Sequence, residues 1–344
     1  MAGTTTAPER AVPVSPWHSV GPRAQACRRP LLALVVLAFV LVSLWYGYPT
    51  GRDVITGWVL LLLLAACGGN VLVWARSVVR DWLPLTAVLF LYDRLRGSAD
   101  SLGAKLADLP EVANGKPGPE GIDRAHVLPQ LRADEVLFGW LTGGQVPTVW
   151  LQEQLYVRGT VHWYDLLLVP VYMSHFLVPI GLAVFLWIRR YDLYARYAWT
   201  LVTLTLLTLS TYALFPAAPP WMAGYNGYLP EVARVTGETL RATGVTTVSS
   251  FVQQGEAYSN AVAAIPSLHA GFPAMVLLFT WPLVRPWVRG LLLVYLAAMT
   301  FTLTYGGEHY VVDAVLGWAY AAFSVWLVAR LLRRRTPEAA PAAR

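Results

Sequence analysis

Long apolar runs alternate with short polar breaks along most of the chain, and the runs have the length of membrane helices. Leu31 to Tyr48, Val54 to Trp74, Trp163 to Ile188, Tyr197 to Phe215, Leu268 to Leu283, Leu291 to Tyr305 and Tyr310 to Leu332 each read as a span. The bilayer core asks for ~20 apolar residues per helix. Trp82 to Gly97 is the ambiguous run, because its apolar core, Leu83 to Tyr92, is shorter than that. Parity decides it. Arg28-Arg29, Arg76 with Arg80, Arg189-Arg190, Arg285 with Arg289, and Arg333-Arg334-Arg335 flank the runs, and basic flanks favour the cytoplasmic side. Placing them all there requires one more crossing between Arg80 and His162. Trp82 to Gly97 supplies it and carries Asp93, Arg94 and Arg96 to the outer face.

The segments between the runs complete the organisation. Residues 1–30, rich in Thr, Pro, Ala and Arg without apolar periodicity, are expected to be a disordered cytoplasmic tail. Residues 31–97 hold the first spans. Residues 98–162 form an extracytoplasmic or interfacial loop with an amphipathic portion, Val136 to Leu155. Residues 163–332 are the membrane core, and 333–344 a basic cytoplasmic tail. The expected fold is all-α, a polytopic helical bundle of about eight crossings.

Composition agrees and narrows the partners. Of 344 residues, 56% are hydrophobic and only 13% charged, with a mean hydropathy of +0.49. A soluble domain carries about a quarter charged residues. The net charge of +6 resides at span ends rather than on a soluble face, so membrane lipids, not nucleic acid, are the expected partners. Cys27 lies in the tail and Cys67 in an apolar run, which argues against a disulfide framework or a zinc site. Nothing in the sequence bears on oligomeric state.

Two polar islands at the mouths of the last spans carry the chemistry: Ile265-Pro266-Ser267-Leu268-His269-Ala270-Gly271 and Tyr305-Gly306-Gly307-Glu308-His309-Tyr310-Val311-Val312-Asp313. The topology opens both on the outer side. Ser267, after Pro266 and before an apolar run, is the expected N-cap of a helix starting at Leu268. A helix N-terminus favours a phosphate, and His269 would sit beside it. Asp313 follows His309 by four residues, so a helix puts both on one face. Its carboxylate can then accept from one ring nitrogen of His309 and leave the other free to attack phosphorus. His269 would protonate the leaving oxygen and later deprotonate the acceptor. Either histidine alone is more often a packing or interface residue, but two islands bracketing one hairpin are harder to ascribe to chance. Neither island has two histidines or two carboxylates at ligand spacing, so no metal is expected. Asp165, Leu168, Tyr172 and His175 recur every three or four residues and share one face of the span from Trp163. They are candidates for a head-group or acceptor pocket.

At these residues the sequence resembles the type 2 phosphatidic acid phosphatase superfamily, most closely its branch of inositol phosphorylceramide synthases. Pro266 to Gly271 is similar to the branch's first signature, with Leu268 where phosphatases of the superfamily usually have Gly. His309-Tyr310-Val311-Val312-Asp313 resembles its second. The superfamily's Ser-Arg ahead of that histidine is replaced by Thr302 and Leu303, as the synthase branch also lacks the arginine. Phe215-Pro216 through Pro219-Pro220-Trp221 looks like the branch's outer-loop signature. The resemblance covers about Trp163 to Leu332. It implies a phosphatase-superfamily core in the C-terminal half, with His309 as the nucleophile that forms a phosphohistidine, Asp313 as its orienting partner, and His269 as general acid and base. It implies no metal and no cofactor. Ser267 and Gly271 fall to phosphate binding. The superfamily's Lys-x6-Arg-Pro signature is absent, so Arg94 and Arg96 are the candidates to neutralise the phosphoryl group.

The expected function is transfer of a phosphoryl-alcohol group, inositolphosphoryl-like, between lipids at the outer leaflet of the plasma membrane. A phosphatase using water shares the same chemistry at phosphorus. A transporter is the alternative from another class, though no pair of similar halves with interrupted helices is evident.

Overall fold

The computed structural model describes residues 15–18, 21–46, 52–68, 72, 74–88, 125–242 and 262–334. Among them the chain is helical apart from isolated bridges. The helices are α1 (Pro22–Tyr46), α2 (Arg52–Cys67), α3 (Leu128–Phe138), α4 (Pro147–Leu155), α5 (Trp163–Arg189), α6 (Tyr191–Leu214), α7 (Pro220–Tyr225), α8 (Val235–Ala242), α9 (Leu268–Thr280), α10 (Pro286–Tyr305) and α11 (Val311–Arg334). A further helical stretch covers 74–88. Among the described residues four helices are long and apolar enough to cross a membrane, namely Pro22–Trp45, Tyr191–Leu214, Pro286–Tyr305 and Val311–Arg333, and α5 makes a fifth if its two halves are one span. The α9 helix is apolar but shorter. The protein is a polytopic helical bundle.

Two boundaries differ from the sequence reading. The first helix begins at Pro22, not Leu31, because Arg28 finds partners that a tail would lack. Its guanidinium lies 4.1 Å from the Trp17 ring centroid and donates to the carbonyls of Ala66 and Trp17, each at 2.6 Å. Ser15 and His18 likewise bond to the carbonyls of Trp187 and Ile188, so 15–18 and 21–29 are not a disordered tail. Residues 1–14 lie outside the described residues. The second break falls at Cys67–Gly68 rather than after Trp74. The turn at Gly68 brings its Cα against the carbonyl of Ala24, which an added Cβ would meet at 2.2 Å. The third expected crossing, Trp82 to Gly97, therefore begins inside the stretch 74–88, and its second half lies outside the described residues. So does the first part of the loop 98–162, whose described part begins at residue 125.

The chain divides into two compact units, residues 1–83 with 182–197 and residues 84–181 with 198–344. The first is built on an aromatic cluster of Trp17, Trp74, Trp82, Trp187 and Tyr194. Asp81 accepts from Trp187 Nε1 and the Tyr191 hydroxyl, both at 2.9 Å, and Arg80 donates to the same hydroxyl. Arg80, in one basic flank, thus lies beside the residue that follows another, Arg189-Arg190.

The second unit holds both polar islands. The α9 and α11 helices pack together, and two glycines set their separation. A Cβ on Gly317 would stand 2.3 Å from the carbonyl oxygen of Ser267, and one on Gly271 would stand 3.3 Å from that of Gly317. Small residues at a membrane-helix crossing allow such backbone approach. Here the approach lets the Ser267 amide donate to the Asp313 carbonyl at 2.9 Å, which ties the first island to the second.

Candidate active site

Each island is held by its own backbone. Ser267 has extended backbone angles and its side chain accepts from the Ala270 amide at 3.3 Å, the N-cap geometry expected from Pro266-Ser267. His269 therefore stands in the first turn of α9. The α10 helix ends at Tyr305, and Gly307 turns the chain with φ +77°. That left-handed angle favours glycine, and an added Cβ would meet the Ala233 carbonyl at 2.5 Å. The amides of Glu308 and His309 then fold back onto the Leu303 carbonyl, and α11 starts two residues later.

The two histidines meet. His269 Nδ1 lies 3.2 Å from His309 Nε2. His309 Nδ1 lies 2.8 Å from the Ala264 carbonyl oxygen and 3.5 Å from Asp313 Oδ2. A carbonyl only accepts, so His309 carries its proton on Nδ1 and presents the Nε2 lone pair towards His269. Asp313 is near as expected, but 3.5 Å exceeds a normal N–H···O bond. The short bond of Oδ2 goes to the Tyr310 amide, at 2.9 Å, which makes Asp313 a capping-box residue at the third position of α11. The tautomer of His309 is thus set first by Ala264.

The Ala264 carbonyl is positioned by the outer-loop signature. Ala217 donates to Val262 at 2.7 Å and accepts from the Ala264 amide at 3.2 Å, while His126 donates to the carbonyl of Pro216 at 2.8 Å. The His126 ring stacks on Phe215 with centroids 3.8 Å apart. The Tyr212 hydroxyl donates to the Pro266 carbonyl at 2.9 Å. Phe215-Pro216-Ala217 is therefore a strap that places one backbone oxygen against the His309 ring.

The polar stripe of α5 faces this site as its period predicts. Tyr172 stacks on His269 with centroids 4.8 Å apart, and the buried His175 lies 4.0 Å from His269, centroid to centroid. The stripe's upper end is committed elsewhere. Asp165 accepts from the Tyr305 hydroxyl at 2.8 Å and from the His162 amide at 2.8 Å, so it fixes the start of α5 to the end of α10. Gly271 also has a packing role, with its amide bonded to the Ser267 carbonyl at 2.9 Å. Arg94 and Arg96 lie outside the described residues. No group of three or more His, Cys, Asp or Glu that could hold a metal occurs among the described residues.

Two features escape the sequence reading. Arg234 pairs with both carboxylate oxygens of Glu308, at 3.2 and 3.0 Å, and lies 4.8 Å from the Trp221 ring centroid. It is an arginine of the segment between α7 and α8, one residue removed, through Glu308, from His309. Asp134 of α3 accepts from the amides of Val312 and Val311 at 2.8 and 3.2 Å. Burial raises its carboxyl to about 7, aided by the Asp313 charge and opposed by those two amides. A signal for it was present, since Gln130 and Asp134 form a polar i, i+4 pair on the buried side of α3.

A histidine pair with an adjacent carboxylate, mounted on two apolar helices, matches a known family pattern. The PAP2 superfamily model matches residues 149–327, more than half of the chain. The chain belongs to the PAP2 superfamily. It is also 32% identical over 143 residues to the phosphoinositol dihydroceramide synthase of Bacteroides thetaiotaomicron, a match that covers 39% of this chain and 45% of that relative. The chain thus spans less than half the length of this curated relative. No solved structure matches. The match covers both polar islands and the helices that carry them. Within the superfamily match lie His269, His309 and Asp313, whereas Asp134 precedes it.

Proposed function

We propose that the protein transfers a phosphoryl-alcohol group from a phosphoinositol-bearing phospholipid to a ceramide-like acceptor, through a phosphohistidine on His309 and without a metal. The observation that carries this reading is the pair of contacts at His309, with Nδ1 bound to a carbonyl and Nε2 facing a second histidine. The choice of lipids follows the name of the Bacteroides thetaiotaomicron relative.

In the first half-reaction the Nε2 lone pair of His309 forms the N–P bond. The bond from phosphorus to the diacylglycerol oxygen breaks, and that oxygen takes a proton from imidazolium His269. The modified His309 ring keeps its Nδ1 proton and gains positive charge, which Asp313 stabilises. In the second, neutral His269 removes the acceptor hydroxyl's proton, the oxygen attacks phosphorus, and the N–P bond returns its electrons to Nε2. Attack needs phosphorus ~3–3.5 Å from the nitrogen with the leaving oxygen on its far side. The direct contact between His269 and His309 is therefore a resting state that opens when the donor enters. Tyr172 and His175 border the space behind His269 and line the head-group or acceptor pocket. The N-terminus of α9, capped by Ser267, favours the phosphate, and Arg94 and Arg96 supply positive charge.

Incubation of the purified protein with phosphatidylinositol and ceramide, followed by mass spectrometry, is expected to give inositol phosphorylceramide and diacylglycerol. Free inositol phosphate with or without acceptor would identify a phosphatase instead. No product from a panel of phospholipid donors would remove both.

The active site opens on the extracytoplasmic face of the plasma membrane in this reading, because the basic span ends lie opposite the islands. In a Cys27→Ser background, a membrane-impermeant thiol reagent should label Tyr225→Cys in intact cells. It should leave Trp287→Cys unlabelled until the cells are opened. Both residues are exposed, and the remaining Cys67 is buried. The reverse labelling pattern would put the site on the cytoplasmic side.

A further inference from the structure

The nucleophile and its carboxylate sit at the start of α11, and what holds that start in place comes from another part of the chain. A helix leaves its first amides without intrahelical partners. In α11, the Tyr310 amide is taken by Asp313, and those of Val311 and Val312 are taken by the two oxygens of Asp134. Asp134 is fully buried and lies 177 and 178 residues away in sequence from the amides it binds. An N-cap normally comes from the residue just before the helix. Here it is provided across the fold by α3, which packs on α11.

This arrangement has a cost that a merely architectural cap would avoid. Asp134 is buried close to a second buried carboxylate, Asp313, and the two repel. The buried Tyr310 adds no positive charge to offset them. A neutral cap such as Ser or Asn would satisfy an amide without that repulsion. What a carboxylate adds is simultaneous two-point capture of consecutive amides, which fixes both the rotation and the height of the first turn. Rotation of that turn moves Asp313 relative to His309, and height moves the His309 ring relative to the Ala264 carbonyl and His269.

We propose that Asp134 is a positioning residue of the transfer reaction, holding the first turn of α11 so that His309 Nε2 and Asp313 keep their places. The proposal rests on the phosphohistidine reading given above. It also extends the catalytic unit towards the amino end, because α3 lies before residues 149–327 that match the superfamily. Asp134 touches no reacting atom in this account and acts through α11.

The experiment compares wild type with Asp134→Asn and Asp134→Ala in detergent, using phosphatidylinositol as donor. Asn keeps one acceptor oxygen but turns an NH2 group towards the other amide. The readouts are melting temperature, kcat and KM for the donor, and the rate of label transfer onto His309. Both variants should remain folded with an unchanged KM, because no donor contact is lost. The kcat should fall about 10-fold for Asn and roughly 100-fold for Ala, the scale of an ångström-size misplacement, and label transfer should slow by the same factors. In combination with Asp313→Asn the losses should be less than multiplicative, because both carboxylates act on one turn. Wild-type kcat and labelling rate in folded Asp134→Ala would overturn the role of Asp134 and leave the phosphohistidine standing. Failure of both variants to fold would make Asp134 architectural and overturn the role as well. Absence of any His309 label in wild type would instead overturn the underlying reading.

Discussion

His309→Ala is expected to abolish turnover, by roughly 10⁴-fold or more, as for other nucleophiles that act in a catalytic unit. The protein should still insert and fold. The physical ground is that Nε2 is the one ring atom of His309 whose lone pair is directed at the space shared with His269, since Nδ1 is held by Ala264. With a phosphorus-labelled phosphatidylinositol, quenched under alkaline denaturing conditions that preserve phosphoramidates, wild type should retain label and His309→Ala should retain none. Label at the wild-type level on the variant would assign the nucleophile elsewhere. The same gel distinguishes the part played by Asp313. Where a carboxylate alone fixes a histidine tautomer, replacing it by the amide costs about 10⁴-fold. Here the Ala264 carbonyl also fixes it, and Asp313 stands at 3.5 Å. Asp313→Asn should therefore cost less, roughly 10²- to 10³-fold, through lost stabilisation of the charged phosphohistidine ring. A loss matching that of His309→Ala would make Asp313 the main orienting group after all.

His269→Ala is the second large effect. Protonation of a leaving alkoxide by a positioned side chain contributes roughly 10²- to 10⁴-fold, and loss in that range is expected with phosphatidylinositol. A p-nitrophenyl phosphodiester leaves without a proton, so the first half-reaction should suffer far less with it. The labelled His309 intermediate should then accumulate on the variant, because acceptor deprotonation is still missing. An equal loss on both substrates, without accumulation, would make His269 a packing or binding residue. His269 is ringed by Tyr172, His175 and His309, so the substitution leaves a gap among side chains rather than breaking a helix cap. Ser267 carries the cap itself.

The sequence alone determined what depends on a few neighbouring residues. Span lengths and basic flanks follow from transfer energies that add along the chain, and the all-α membrane bundle was legible in them. The N-cap at Ser267 and the stripe that brings Tyr172 and His175 to His269 are consequences of helical period and of orphan amides at a helix start, whereas His309 stands before α11 and shares no helix face with Asp313. Each of these preferences acts within a turn or two. The tertiary structure decided which of several nearby acceptors each group uses. His309 Nδ1 is close to a carboxylate four residues on, yet its short bond goes to a backbone carbonyl 45 residues back. That oxygen has no side-chain signature and is in place because Phe215-Pro216-Ala217 straps the segment holding it. Asp134 reaches α11 from 177 residues away, and Gly271 serves a helix crossing with Gly317 that can be recognised only once the two helices touch. Asp165, on the expected face, is drawn off by the Tyr305 hydroxyl at the end of α10. Local period fixes which way a side chain points, but the packing of distant segments fixes what it meets there, and hydrogen bonds are short enough that a difference of less than 1 Å selects the partner.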